Sequence, residues 1–156
     1  MARETPELTA EFFESMMELE PPWFVDHISF DASKRRLVLY IDFEPGGTFT
    51  CDTCGTEGCR AYDSFLRKWR HLDFWGLRTV LSAPAPRVKC PRCGVRQARV
   101  PWARSRRRFT RPFEDFVVSL ADEMPVRAVA RILGEHDTRI GRLVNHPSVA
   151  TGTRPR

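Results

Sequence analysis

Apolar positions change period three times along this 156-residue chain. From Pro6 to Glu20 they follow helical spacing, with Leu8, Phe12, Phe13, Met16, Met17 and Leu19 forming one stripe. Thr5 stands as N-cap, Pro6 at the first helical position, acids follow in the first turns, and Pro21-Pro22 ends the segment. The period then shortens to two. Val25 to Phe30 and Leu37 to Phe43 predict a hairpin turning at Asp31-Ala32-Ser33-Lys34, with Leu37, Leu39, Ile41 and Phe43 alternating. Between Cys51 and Val100 the pattern breaks into short strands. Arg67 to Phe74 pairs with Leu77 to Ser82 around Trp75-Gly76, and Arg87 to Cys90 and Gln97 to Val100 flank a cysteine pair. Helical spacing returns in Phe113, Phe116, Val117, Leu120 and Met124, and Val126 to Val144 reads as two shorter helices split at Gly134. Asn145 to Arg156 carries Pro147, Gly152 and Pro155 with almost nothing apolar, and reads as a loose tail.

These elements predict an α+β chain in five parts: an N-terminal helix at 1–22, a β-rich module at 23–103, a basic linker at 104–112, a helical module at 113–146 and a flexible tail at 147–156. At 42% hydrophobic and 29% charged residues, most of the chain can build cores. No run of about 18 apolar residues occurs, so no membrane partner is expected. Glu4, Glu7, Glu11 and Glu14 stand where a secretory leader would be basic and then apolar, so a cytoplasmic protein is expected.

The formal net charge of +5 hides a division, since residues 1–50 carry net −6 and residues 51–156 net +11. From Arg99 to Arg111 six arginines follow one another with no acid between them. Such a run is either a solvated basic loop or a polyanion site that acts through counterion release. Pro101 and Pro112 bracket it, against the amphipathic helix an anionic membrane surface would need, so the expected polyanion is nucleic acid.

Four of the five cysteines form two identical motifs, Cys51-Asp52-Thr53-Cys54-Gly55 and Cys90-Pro91-Arg92-Cys93-Gly94. Two thiolates two residues apart in a tight turn can reach one tetrahedral zinc, and the glycine tolerates a left-handed backbone that lets amides approach the sulfurs. Free buried cysteines or a disulfide are the alternatives, and the duplicated motif in a cytosolic chain favours zinc over both. Four thiolates close the coordination sphere, so one structural zinc is expected. Cys59 could replace a knuckle cysteine or be a free thiol; with no partner spacing it reads as a bystander. His71 reads as a packing or strand-edge residue, and His27, His136 and His146 show no ligand spacing.

Within Val126 to Leu143, Ala130 and Gly134 fall at the crossing and turn positions of a helix-turn-helix, while Val129, Leu133, Ile140 and Leu143 supply its apolar contacts. A plain helical bundle can match this pattern by chance, but the adjacent arginine run favours the DNA-binding motif. Its second helix begins near Glu135 to Asp137 and turns Thr138, Arg139, Arg142 and His136 toward the major groove.

Trp69-Arg70-His71-Leu72-Asp73-Phe74, Pro86 through Pro91, Val100 through Arg104, Phe109-Thr110 with Phe113-Glu114, and Val129 through Arg139 resemble the N-terminal region of bacterial insertion-sequence transposases of the ISL-three family. The resemblance runs in order over about residues 20–144 and implies a zinc-binding domain followed by a helix-turn-helix. It implies Cys51, Cys54, Cys90 and Cys93 as the zinc ligands, although family members often have histidine at the place of Cys93; cysteine ligates equally well. In the family a catalytic domain with a DDE acidic triad follows. Here the sequence stops at Arg156, and Asp115, Asp122 and Glu123 read as the solvated face of a helix, so a non-catalytic binding protein is expected.

The expected partner is double-stranded DNA, namely the terminal inverted repeats of an insertion sequence, with a full-length transposase or a second copy as protein partners. A stand-alone transcriptional regulator with a promoter target is the alternative. DNA contacts are expected from Arg104, Arg106, Arg107, Arg108 and Arg111 on phosphates, and from His136, Thr138, Arg139 and Arg142 on bases. The resemblance also implies a bacterial, nucleoid-associated protein.

Overall fold

The computed structural model describes residues 10–147, and its spine is one long strand near the middle of the chain. In order, the elements are α1 (Ala10–Met16), β1 (Trp23–Asp31), β2 (Arg36–Phe43), β3 (Thr48–Phe49), β4 (Cys59–Arg70), β5 (Arg78–Cys90), β6 (Gly94–Gln97), α2 (Arg111–Glu123), α3 (Val126–Leu133) and α4 (Asp137–Val144). The class is α+β, a six-stranded sheet followed by a helical module. The spine is β5. One of its edges pairs antiparallel with β4 from Arg70↔Val80 to Ala61↔Val88. The other edge changes partner, running parallel to β2 over Arg78 to Ser82 and antiparallel to β6 over Arg87 to Cys90.

Pro84 and Pro86 lie near that change of partner. A proline in a central strand normally breaks the ladder, because it has no N–H to donate. Pro86 O accepts from Ala98 N at 2.9 Å, so the even-numbered backbone groups face the edge where one partner strand has ended and the next begins. The missing donors therefore cost β4 nothing.

Two cores result. The sheet core gathers Trp23, Phe49, Trp69 and Trp102 edge to face, with Trp23 and Trp102 rings 4.8 Å apart and Trp69 and Trp102 rings 5.3 Å apart. The helical core joins Phe109, Phe113, Val117, Val129, Leu133, Ile140 and Leu143.

Several elements differ from the sequence reading. The first helix stops at Met16 rather than near Glu20, because Glu18 turns left-handed at φ 52° and Leu19 N bonds back to Glu14 O at 2.9 Å. Thr5, Pro6 and Leu8 lie outside the described residues, as does the tail after Pro147. The strand expected over Arg67 to Phe74 is β4 instead, which begins at Cys59 and ends at Arg70. Beyond Arg70 the pairing becomes irregular: His71 N still donates to Thr79 O at 3.0 Å while its ring turns to Thr110, Phe74 N goes to Thr79 Oγ1 at 3.1 Å, and Phe74 bridges Leu77 across Trp75-Gly76, where the turn was expected. The strand expected over Gln97 to Val100 sits earlier, at Gly94–Gln97, because Gly94 turns at φ 75° directly after the second cysteine pair. The β1–β2 hairpin and the split of the last helices at Gly134 stand as read.

The basic stretch expected as a linker is anchored along its length. Trp102 and Ala103 belong to the sheet core, and Phe109 to the helical core. Arg70 N donates to Arg108 O at 2.9 Å, Thr110 N to Arg70 O at 3.0 Å, and Arg111 N to Trp102 O at 2.8 Å.

Candidate metal centre and nucleic-acid interface

The two CxxCG motifs adopt the same local shape, with Gly55 at φ 76° and Gly94 at φ 75°. Each glycine holds the left-handed position that closes its knuckle. Cys51 bridges to Ala98, and Cys90 is the last residue of β5, so the sheet places the first cysteine of each knuckle. The four sulfurs of Cys51, Cys54, Cys90 and Cys93 lie within 4.8 Å of one another, with Cys54 and Cys90 at 3.5 Å. Zinc–thiolate bonds of about 2.3 Å in a tetrahedron require sulfurs roughly 3.8 Å apart, so this donor set fits one zinc. The Thr56 hydroxyl and amide hold the Cys54 thiol down to about 6, while its hydrogen bond to Cys54 and burial push the Cys93 thiol up to about 12, so Cys54 is the readier of the two to supply a thiolate. Cys59 is buried beside the cluster and outside it. Its Sγ donates to Thr56 O at 3.4 Å, and burial pushes its thiol up.

The helical module has the turn geometry of a helix-turn-helix. Thr110 caps α2 by accepting from Phe113 N at 3.4 Å. Gly134 ends α3 at φ 64°, and Glu135 N reaches Ala130 O at 2.9 Å, a Schellman-type closure. Ala130 is buried where the helices cross, and Ile140 and Leu143 hold α4 against α2 and α3. His136 caps α4, its Nδ1 accepting from Thr138 N at 3.3 Å and lying 2.6 Å from Thr138 Oγ1. Thr138 and Arg142 are exposed on α4, and with Asn145 and Arg107 they line one shallow depression.

Arg139 is occupied differently from the expectation of a groove-facing side chain. Its Nη1 donates to Glu135 Oε2 at 2.7 Å, and its guanidinium lies 4.6 Å from the Phe109 ring centre. The Glu135 carboxylate, 2% exposed, is the meeting point of both modules. Arg70 Nε of β4 reaches Glu135 Oε1 at 3.2 Å and Arg78 Nη2 of β5 reaches it at 2.7 Å. The same two arginines donate to the carbonyls of the helix-turn-helix turn, Arg70 to Leu133 O at 3.1 Å and Arg78 to Gly134 O at 2.9 Å.

The arginine run divides in two. Arg104 and Arg107 pair with Glu114, a fully buried carboxylate on α2, Arg104 by a direct hydrogen bond and Arg107 Nε at 3.9 Å. Arg106, Arg108 and Arg111 are exposed and form no ion pair among the described residues. The run is tied to the first knuckle as well, since Ser105 donates to the Asp52 carboxylate and Arg99 Nε lies 3.8 Å from it. His71 supports the junction: its Nδ1 is 2.7 Å from Thr110 Oγ1, and burial lowers its pKa to about 4. Sequence reasoning missed Glu114, Glu135, Arg70 and Arg78. Glu114 carried a local signal, lying three residues before Val117 on the apolar face of its helix, and Glu135 stands four residues before Arg139, but its contacts with Arg70 and Arg78 come from 65 and 57 positions away.

The fold and its two sites define a class: a zinc-ribbon-like sheet joined to a helix-turn-helix. Residues 47–93 match the zinc-finger of transposase IS204/IS1001/IS1096/IS1165, and residues 98–146 match the helix-turn-helix domain of transposase family ISL3. The chain carries the zinc-finger and helix-turn-helix region of ISL3-family transposases. It is 36% identical over 138 residues to the transposase for insertion sequence element IS1557 of Mycobacterium tuberculosis, covering 85% of this chain and 31% of that protein. It is 30% identical over 108 residues to the transposase for insertion sequence element IS1001 of Bordetella parapertussis, covering 67% of this chain and 26% of that protein. The chain thus spans about a third of the length of these relatives or less. No solved structure matches it. Among the described residues no helix is long and apolar enough to cross a membrane.

Proposed function

We propose that this chain binds the terminal inverted repeats of an insertion sequence, with α4 in the major groove and the basic run on the flanking phosphates. Cys51, Cys54, Cys90 and Cys93 hold one structural zinc, whose chemistry is to cross-link the two knuckles and so fix the sheet that carries the run. The observation that carries the reading is the shared depression in which Arg142 and Thr138 of α4 meet Arg107 of the basic run. A duplex seated there meets the exposed side chains of α4 beside the basic run, in which the exposed Arg106 and Arg108 flank Arg107 in sequence. The unpaired Arg106, Arg108 and Arg111 supply phosphate contacts. Arg142 is the candidate for a bidentate guanine contact, worth about 1 to 3 kcal/mol of discrimination. Arg139, held by Glu135, supports the position of α4. The site of action is the bacterial cytoplasm, on the nucleoid.

The test is fluorescence anisotropy of the zinc-loaded protein on three duplexes: an element end, the promoter of its own gene and a scrambled sequence. Tightest binding to the element end, with affinity falling steeply with salt, is expected. Equal affinity for all three at every salt concentration overturns sequence recognition. Preference for the promoter replaces the reading with a transcriptional regulator. The chain binds without cutting, so the same duplex incubated with magnesium stays free of nicks.

A further inference from the structure

We propose that the cavity between β4, β5 and the basic run is a phosphate-binding pocket, in which Arg67 of β4 and Arg99 act together with Arg106 and Arg111. Its assignment to the DNA backbone rests on the proposed function; the pocket itself does not. The cavity measures about 70 Å³, and six arginines are among its lining residues: Arg67, Arg99, Arg104, Arg106, Arg107 and Arg111. Asp52 is the one carboxylate among its lining residues. Arg104 and Arg107 are balanced from behind by Glu114. Arg67, Arg106 and Arg111 have no ion pair among the described residues, and Arg99 has only the long contact to Asp52 at 3.8 Å. Four arginines not balanced by Glu114 therefore line one cavity with a single carboxylate, Asp52. Like charges gathered in this way repel one another, and an anion between them removes the repulsion.

The walls strengthen that attraction. Trp69, Ala85, Ala98 and Ala103 put apolar surface against the charges, which lowers the local dielectric. The cavity has room for a few waters, enough to admit a phosphate group.

Location fixes the source of the phosphate. Arg107 lines both this pocket and the depression beside α4, so the two are neighbours on one surface. A phosphate held by Arg67 and Arg99 then belongs to the same duplex that α4 reads, a short distance from the bases it contacts. The sheet module becomes part of the DNA interface as well as its support.

The experiment compares wild type with Arg67→Gln, Arg99→Gln and the double variant, and with Lys34→Gln on the β1–β2 turn as control. All are zinc-loaded and matched for melting temperature. In the first arm, duplex binding is measured between about 50 and 200 mM salt. Each lost phosphate contact is expected to flatten the slope of log K against log salt by about 0.9, equally on specific and scrambled DNA. Arg67→Lys is expected to restore most of the slope. In the second arm, inorganic pyrophosphate is titrated and melting is followed; it is expected to raise the melting temperature of wild type and of Lys34→Gln, and that of the double variant much less. A double variant that equals wild type in both arms overturns the pocket. Loss of the pyrophosphate effect in a protein whose wild type binds no duplex keeps the pocket, assigns it to a free phosphate ligand and overturns the DNA reading.

Discussion

Replacing Glu135 with glutamine leaves the shape of the turn and removes one negative charge from beneath three arginines. Glu135 and Arg70 are buried together, with side chains 2% and 4% exposed. Taking one partner from a buried ion pair costs about 3 to 5 kcal/mol, because the remaining charge stays desolvated. Arg70 keeps part of its surroundings, namely Asp73 and the carbonyl of Leu133, with its guanidinium 4.9 Å from the Phe113 ring centre. The lower end of that range applies, about 3 kcal/mol. For a chain of this size each kcal/mol moves the melting temperature by about 2 to 4 °C, so a fall of about 6 to 12 °C is expected. Urea unfolding of zinc-loaded protein, followed by tryptophan fluorescence and by helical circular dichroism, measures both modules at once. The two probes are expected to shift together, because Glu135 is the joint. Arg139→Ala is the internal comparison: with 45% of its side chain exposed, it is expected to cost about 1 kcal/mol or less. A Glu135→Gln protein within about 1 kcal/mol of wild type, or one in which only the helical signal moves, would refute the view that this carboxylate holds the two modules together.

Metal analysis is expected to give one zinc per chain; Cys90→Ser with Cys93→Ser loses it and melts lower, whereas Cys59→Ser retains it. His71 titrates near 4 in the fold against about 6.5 unfolded, so the unfolded chain takes up the proton first. Stability is therefore full above about pH 6.5, falls as the pH drops and levels off near 4, a loss of about 3 kcal/mol that is absent from His71→Asn; an NMR titration placing His71 near 6.5 would contradict this. Glu114→Gln is expected to lower stability by about 2 to 4 kcal/mol and also to steepen the salt dependence of duplex binding, since it releases Arg104 and Arg107 to solvent phosphates.

What could be read from the sequence was local in character. A left-handed turn at Gly134, a small residue at Ala130 and apolar residues at fixed offsets are the local requirements of a helix-turn-helix, and each can be seen without knowing what packs nearby. The CxxCG knuckles are equally local. The parallel pairing of β2 with β5 joins segments about forty residues apart, and no periodicity within either strand announces it. The start of β4 was hidden for another reason. Tyr62, Phe65 and Leu66 are exposed, and a bulge between Ala61 and Asp63 shifts the alternation, so that half of the strand lacks the two-residue pattern. The arginine run misled in the same way. Counting charge along the chain found no acid within it, while Glu114 lies only three residues past its end and folds back beneath it.

That fold-back changes what the net charge means. A basic linker free to move would have to be ordered at the moment of binding, and the lost freedom of each long side chain would subtract from affinity. Here Arg104 and Arg107 are held by Glu114, Ser105 by Asp52, and the backbone at Arg108 and Thr110 by Arg70. Fewer arginines remain for phosphates, but they stand on a frame tied to the cysteine knuckle at one end and to α2 at the other. Arg70 and Arg78 tie the same frame to the turn that precedes α4. Phosphate contacts set the register of a protein on DNA and base contacts read the sequence, so the two must keep a fixed spacing to act together. On the proposed DNA-binding reading, the buried Glu114 and Glu135 hold that spacing, so their replacement is expected to change sequence discrimination in the anisotropy assay although neither carboxylate is placed to touch DNA.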